Sequence, residues 1–179
     1  MKKIVSFILI IAILVGTLFV LTGCESGKSG VNLKLDFKHM NDKVYNAHIN
    51  KNADDEVTEF DEDEPNFVRI ENEKENYVID LTLDTEAKEA YEQFETSAKE
   101  ENELYVKTDL GKFKGYYSKD NDDIYGYILL DESDSTFNVF VMFDVYLYDD
   151  ESDNNDIEKI FNSSNIQNII NKIEFKTSK

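Results

Sequence analysis

The chain has 179 residues, with 19 lysines and arginines against 38 aspartates and glutamates, giving a formal charge of −19 at pH 7. A surface this acidic repels nucleic acid and anionic lipid, which argues against proteins that work by binding nucleic acid or by electrostatic attachment to a membrane. Disorder is excluded as well, because 41% hydrophobic and 12% aromatic residues are more than a chain without a core would carry.

Met1-Lys2-Lys3 is a short positive start, and residues 4–21 carry no charge. Small residues then precede the single cysteine in Leu21-Thr22-Gly23-Cys24. A basic start, an apolar run and small residues before a cut site form the layout of an export signal. The last four residues resemble the lipobox of bacterial lipoproteins. That resemblance implies cleavage just before Cys24, diacylation of the Cys24 thiol, and a mature chain held on the extracytoplasmic face of the cell membrane. The competing reading is an uncleaved spanning helix, since residues 4–21 at ~1.5 Å each cover roughly 27 Å, nearly a bilayer core. Both readings leave the rest of the chain outside, because Lys2 and Lys3 stay in the cytoplasm and the following flank is acidic. Cleavage would remove those two lysines and no acid, taking the formal charge to about −21. It would also leave no thiol free for a disulfide, a thiolate metal site or a nucleophile. The expected organisation is a signal or anchor helix over 1–23, a lipidated cysteine and flexible tether over 24–31, and a single α+β domain over 32–176.

Alternation carries most of the domain. Leu33, Leu35 and Phe37, then Tyr45, Ala47 and Ile49, predict a first hairpin. Residues 51–65 are acidic, end at the only proline, and read as loop. Phe67–Glu71 and Tyr77–Leu83 read as strands. A helix is expected over 85–101, capped by Asp84 or Thr85, with Ala87, Ala90, Tyr91, Phe94 and Ala98 on one stripe. A meander follows over Glu103–Thr108, Lys112–Ser118, Ile124–Asp131 and Phe137–Tyr148. Phe137, Val139, Val141, Phe143, Val145 and Leu147 occupy one face of the last strand, and the other face is mixed, so the sheet should be covered on both sides at least in part. Phe94 and Val141 are expected in the core. Ser164 and Gln167 read as a capping box opening a short helix, which runs through Ile169, Ile170 and Ile173 into a closing strand at Phe175.

This order, with Gly111-Lys112-Phe113-Lys114-Gly115-Tyr116 at the first meander turn and Ile-Ile-Asn-Lys-Ile-Glu-Phe over 169–175, resembles the Mog1/PsbP-like α/β/α sandwich. The resemblance spans roughly residues 66–176. It implies an antiparallel sheet with helices packed on it and lends no catalytic residues; residues 32–65 form an acidic extension that the family does not require.

The acidic clusters at 54–56, 61–64, 120–123, 131–134 and 149–156 raise a calcium reading. An EF-hand needs Gly at its sixth position and Glu at its twelfth, and counting from Asp149 gives Asn154 and Ile160, so that template fails. Weak Ca²⁺ binding in another loop geometry remains a reading, against solvated turns. His39 and His48 flank a hairpin turn with no accompanying metal-ligand spacing and read as surface residues. Lys107, Lys112, Lys114 and Lys119 are interleaved with Phe113, Tyr116 and Tyr117. They read either as a contact for an anionic wall polymer or protein, through Lys112, Lys114 and Tyr116, or as an edge hairpin guarded by lysines. Tyr116, Tyr117, Tyr125, Tyr127, Tyr146 and Tyr148 read as an aromatic binding face or as the edge of the core. No nucleophile elbow and no phosphate-cradling glycine loop is present. The functional expectation is therefore a membrane-anchored binding or interaction module, not an enzyme and with no cofactor, whose partner is an envelope protein or polymer. The alternatives are a carboxylate-dependent hydrolase or lyase and a weakly Ca²⁺-dependent adhesion or sensing module.

Overall fold

A computed structural model describes residues 30–36, 42–60, 63, 65–89, 96, 105–110, 113–120, 123–153 and 155–178. Cys24, the signal segment and Phe94 lie outside this set. Among the described residues, ten strands form two antiparallel sheets. The smaller has the order β1 (Gly30–Asp36), β2 (Val44–Asn50), β10 (Glu174–Ser178). The larger runs β3 (Glu56–Glu59), β4 (Phe67–Asn72), β5 (Tyr77–Ala87), β9 (Phe137–Leu147), β8 (Asp123–Asp131), β7 (Phe113–Asp120), β6 (Tyr105–Leu110). Two short helices, α1 (Ile157–Phe161) and α2 (Ser164–Asn171), precede β10. The fold is mixed α+β and dominated by antiparallel sheet.

The chain path explains the strand order. After the β4–β5 hairpin the chain crosses to the far edge and lays down β6. It then walks back strand by strand, so that β9 arrives beside β5. These two central strands pair along their full lengths, from Tyr77↔Leu147 to Ala87↔Phe137.

That pairing corrects the expected helix cap. Thr85, Glu86 and Ala87 are strand residues opposite Val139, Asn138 and Phe137, because β9 offers them backbone partners that outweigh a local helix preference. Helix begins only at Lys88, and residues 90–95 and 97–101 lie outside the described set. The loop expected over 51–65 also contains β3. Its residues are all exposed, so no burial pattern marks it, and pairing with β4 makes it a strand. β1 starts at Gly30, inside the segment expected to be tether, with Gly30 and Val31 opposite Asn50 and Ile49. A Cβ on Gly30 would fall 2.3 Å from the Ile49 carbonyl oxygen, so the close approach requires glycine. The second helix is capped by Ser163, one residue before the expected Ser164; its Oγ accepts from the Ile166 amide.

One face of the large sheet is the core. Val68, Ile70, Ile79, Leu81, Leu83, Ile124, Ile128, Val141 and Val145 are buried there with Leu33, Tyr45, Ala47 and Ile49 of the small sheet. Ile157, Ile160, Phe161, Ile166, Ile169, Ile170 and Ile173 join the same cluster from the C-terminal segment. The Phe161 ring stacks on Phe143 at 5.9 Å and tilts against Tyr117 at 4.8 Å, which docks α1. Tyr45 stacks on Phe175 at 6.2 Å and meets Phe137 edge-on at 6.5 Å. The expectation for Val141 holds.

Polar groups tie the loops at one end. Asp55 is buried, and its carboxylate accepts from the Asn52 amide at 2.7 Å, from Asn52 Nδ2 at 2.9 Å, from Asn72 Nδ2 at 2.8 Å and from the Tyr77 hydroxyl. Burial and the Asp55 hydrogen bond push the Tyr77 hydroxyl well above the ordinary tyrosine range. Asn76 takes a left-handed conformation in the β4–β5 turn. Its side chain donates to the Asp149 carbonyl and accepts from the Asp149 amide, which fastens the turn to the end of β9.

Candidate functional site

The second face of the large sheet carries the polar half of each alternation, and antiparallel register arranges those residues in rows. One row runs Arg69 (β4), Asp80 (β5), Asp144 (β9), Tyr125 (β8). The next runs Phe67, Thr82, Met142, Tyr127. Between the two rows lies a groove of about 370 Å³, open to solvent along one side and lined by Phe67, Asp80, Thr82, Tyr125, Gly126, Tyr127, Met142, Phe143 and Asp144. Tyr125 is 40% exposed at its wall, and Tyr127 packs edge-on against the buried Phe140 at 5.2 Å.

The two carboxylates in the first row stand in opposite electrostatic situations. Arg69 grips Asp80 with both arms of its fork, Nε to Oδ1 at 2.8 Å and a terminal nitrogen to Oδ2 at 2.7 Å. The guanidinium also lies 5.9 Å from the centre of the Tyr146 ring and 3.7 Å from Glu59 on β3. Tyr146 donates to Asp80 at 3.4 Å, and burial followed by the Asp80 charge pushes its hydroxyl up to about 12. Asp144, directly opposite Asp80, has no such cation. Its Oδ1 is shut away from solvent and accepts no hydrogen bond. Burial first, then the charges of Asp123 and Asp80, raise its carboxyl to about 6. Asp80 is neutralised, and among the described residues no cation is paired with Asp144.

A larger cavity of about 440 Å³ sits at the loop end among Ala53, Asp54, Asp55, Glu56, Glu71, Asn72, Glu73, Lys74 and Tyr148. Its deepest carboxylate and its one lysine are already committed: Asp55 accepts from Asn52, Asn72 and Tyr77, and Lys74 pairs with Asp54 at 3.3 Å. We therefore take the outer-face groove as the site. Among the described residues, no three His, Cys, Asp or Glu side chains converge to hold a metal ion. Several acidic loop residues act instead as turn formers. Asp131, Asp134 and Asp149 accept from backbone amides two residues on, and Asp156 caps α1.

Lys112 and His39 lie outside the described residues. Lys114 and Tyr116 sit on β7, opposite Leu129 and Tyr127 of β8, and their side chains are outside the described set. The register places Tyr116 in the same row as Tyr127, Met142, Thr82 and Phe67, and Lys107 of β6 continues that row. Lys119 is five residues from Lys114 and so belongs to the opposite side of the pleat, where it pairs with Glu158 of α1 at 3.0 Å. The lysine stretch is therefore split between two faces, although β6 does form an edge of the sheet. The tyrosines divide in the same way. Tyr125, Tyr127 and Tyr146 belong to the groove face, while Tyr117 packs on Phe161 beneath the sheet. His48 bonds to Asn32 across the β1–β2 pair of the small sheet at 2.8 Å and does not line the groove.

Sequence reasoning missed Arg69, Asp80 and Asp144 as a set. The available signal was a lone aspartate inside each of two apolar runs, Tyr77–Leu83 and Phe137–Tyr148. Comparison with protein-family models, curated proteins and solved structures finds no match to this chain.

Proposed function

We propose that this is an extracytoplasmic lipoprotein, anchored through Cys24, whose domain binds an envelope partner through the outer face of its large sheet. The observation that carries the reading is the shallow aromatic groove beside one uncompensated carboxylate, a shape suited to contact and not to enclosure. The lipobox supports the anchor. The acidic balance supports it too, since electrostatics would not hold the domain to an anionic surface. Lys114 and Tyr116 extend the same face by their register positions, and Lys112 adjoins them in sequence, so all three stay within the proposed contact area. The strand order and the docking of Phe161 on Phe143 are compatible with the Mog1/PsbP-like arrangement of helices on an antiparallel sheet, and we read the fold that way.

A hydrolase reading draws on Asp144, whose carboxyl is poised near 6 opposite a second carboxylate. It requires both carboxyls to act, and Asp80 has both oxygens engaged by Arg69. Binding is therefore favoured. The test is retention of envelope components on the immobilised full-length protein, compared with a Tyr125→Ala/Tyr127→Ala variant of unchanged thermal stability. Loss of specific retention in the variant is expected. Equal retention would place the contact elsewhere.

A further inference from the structure

We propose that the outer-face groove receives a lysine side chain presented by a partner protein, its ammonium set against Asp144 and its alkyl stem lying along Tyr125, Tyr127 and Met142. This rests on the reading of the outer face as the binding surface and specifies what the surface takes.

Charge selects a cation. The charged and titratable groups around Asp144 on this face are Arg69 from β4 with Glu59 of β3 beside it, Asp80 and Glu86 from β5, Tyr146 from β9, and Asp123, Tyr125 and Tyr127 from β8; Lys114 and Tyr116 of β7 and Lys107 of β6 share the face by register, two and three strands away from β9. Arg69, the cation in Asp144's own row, is already clamped on Asp80, so an incoming anion would meet Asp144 with no cation of that row to receive it. An incoming cation would offset the charge that the protein leaves open. Tyrosine rings beside that charge add a favourable face for an ammonium and its methylenes.

Geometry selects an ammonium over a guanidinium. Asp144 Oδ1 is turned away from solvent, so the groove is offered one oxygen at most. A guanidinium fork gains its advantage from two coplanar oxygens, the arrangement Arg69 already enjoys on Asp80, whereas an ammonium is a compact point charge that one oxygen can hold. A divalent ion is disfavoured because the described residues gather no three-ligand set.

Shape and field select a macromolecular source. A free small ligand is normally enclosed over most of its surface, and a groove of about 370 Å³ open along one side cannot do that. A side chain projecting from a larger surface can lie in such a groove while the flanking surface makes further contact. The net charge of −19 steers a basic protein towards this domain.

The experiment titrates short peptides carrying one central lysine, Nε-acetyl-lysine or arginine onto the full-length chain in nonionic detergent, reading the tyrosine ring resonances by NMR. The lysine peptide should shift Tyr125 and Tyr127, and the acetylated peptide should not. Asp144→Asn is nearly isosteric and removes only the charge. It should weaken the lysine peptide about tenfold, the effect of losing roughly 1.4 kcal/mol, while leaving the melting temperature no lower than wild type. Affinity should also fall as pH drops through about 6, where Asp144 gains its proton. Equal binding of the acetylated or the arginine peptide, an unaltered affinity in Asp144→Asn, or shifts confined to residues off this face would each overturn the proposal. If envelope retention depends on Tyr125 and Tyr127 while no lysine peptide binds, the ligand class is wrong and the surface is right. If retention ignores those tyrosines, the surface itself is wrong.

Discussion

Two aspartates show how neighbours decide what a buried carboxylate does. Asp55 is satisfied by donors on every side and functions as a strut between the 51–55 loop, β4 and β5. Removing one donor tests that role: Tyr77→Phe should cost about 1.5–3 kcal/mol, the usual value of a hydrogen bond to a charged group, read from the urea midpoint at pH 7. An unchanged midpoint would show that the remaining donors carry the carboxylate unaided. Asp144 is the opposite case, because its folded-state carboxyl is raised to about 6 while an unfolded aspartate titrates near ~3.9. Between those values the folded chain binds the extra proton. Stability should therefore rise as pH falls through 6 towards 4, and the ionised group destabilises the fold at pH 7. The side chain is partly exposed, so screening trims the effect to about 1 kcal/mol. Asp144→Asn should raise the melting temperature at pH 7 and flatten the profile between pH 6 and 4. A wild type that loses stability steadily over that interval, with the variant following it, would contradict this.

Among the elements, those with one buried face could be read directly from the chain. Leu33, Ala47 and Leu81 alternate with polar neighbours because one side of each strand meets the core, and that requirement is written into every second residue. What pairing alone decides could not be read. Thr85–Ala87 look like the start of a helix and become strand because β9 lies opposite; Glu56–Glu59 look like loop and become strand because β4 does. The candidate site belongs to this second kind. Tyr125, Tyr127 and Tyr146 stood out as aromatics, but Arg69, Asp80 and Asp144 come from three strands and meet only through register. The C-terminal segment offers a test at this scale. Phe161→Ala removes the ring that docks α1 on Phe143 and Tyr117, and should cost about 3–5 kcal/mol. Lys119→Gln breaks the neighbouring exposed ion pair with Glu158 and should cost less than about 1 kcal/mol. Thermal melts of the two variants should differ widely, and matching melts would mean that α1 is held by charge.

At the scale of the whole molecule, the proposed anchor and the charge act together. A domain this acidic, tethered by lipid to a surface it is repelled from, would stand away from that surface and present its faces to the space beyond. Cys24→Ser should abolish lipid labelling and release of the signal peptide at that site, because only the thiol accepts the diacylglyceryl group. Full acyl labelling in the variant would remove the anchor from the proposal. The strand order has a further consequence, for the timing of assembly. β5 cannot complete its pairing until β9 has been made, and the small sheet waits for β10 to reach β2. If the chain is exported as proposed, its N-terminal strands would emerge before the partners that complete both sheets. Contacts between residues so distant in sequence also slow closure, so refolding from urea should be slower than for a helical bundle of equal length. During that delay the apolar strands stand open to chance encounters. A chain whose acids so outnumber its bases keeps its own unfolded copies apart until the last strands arrive.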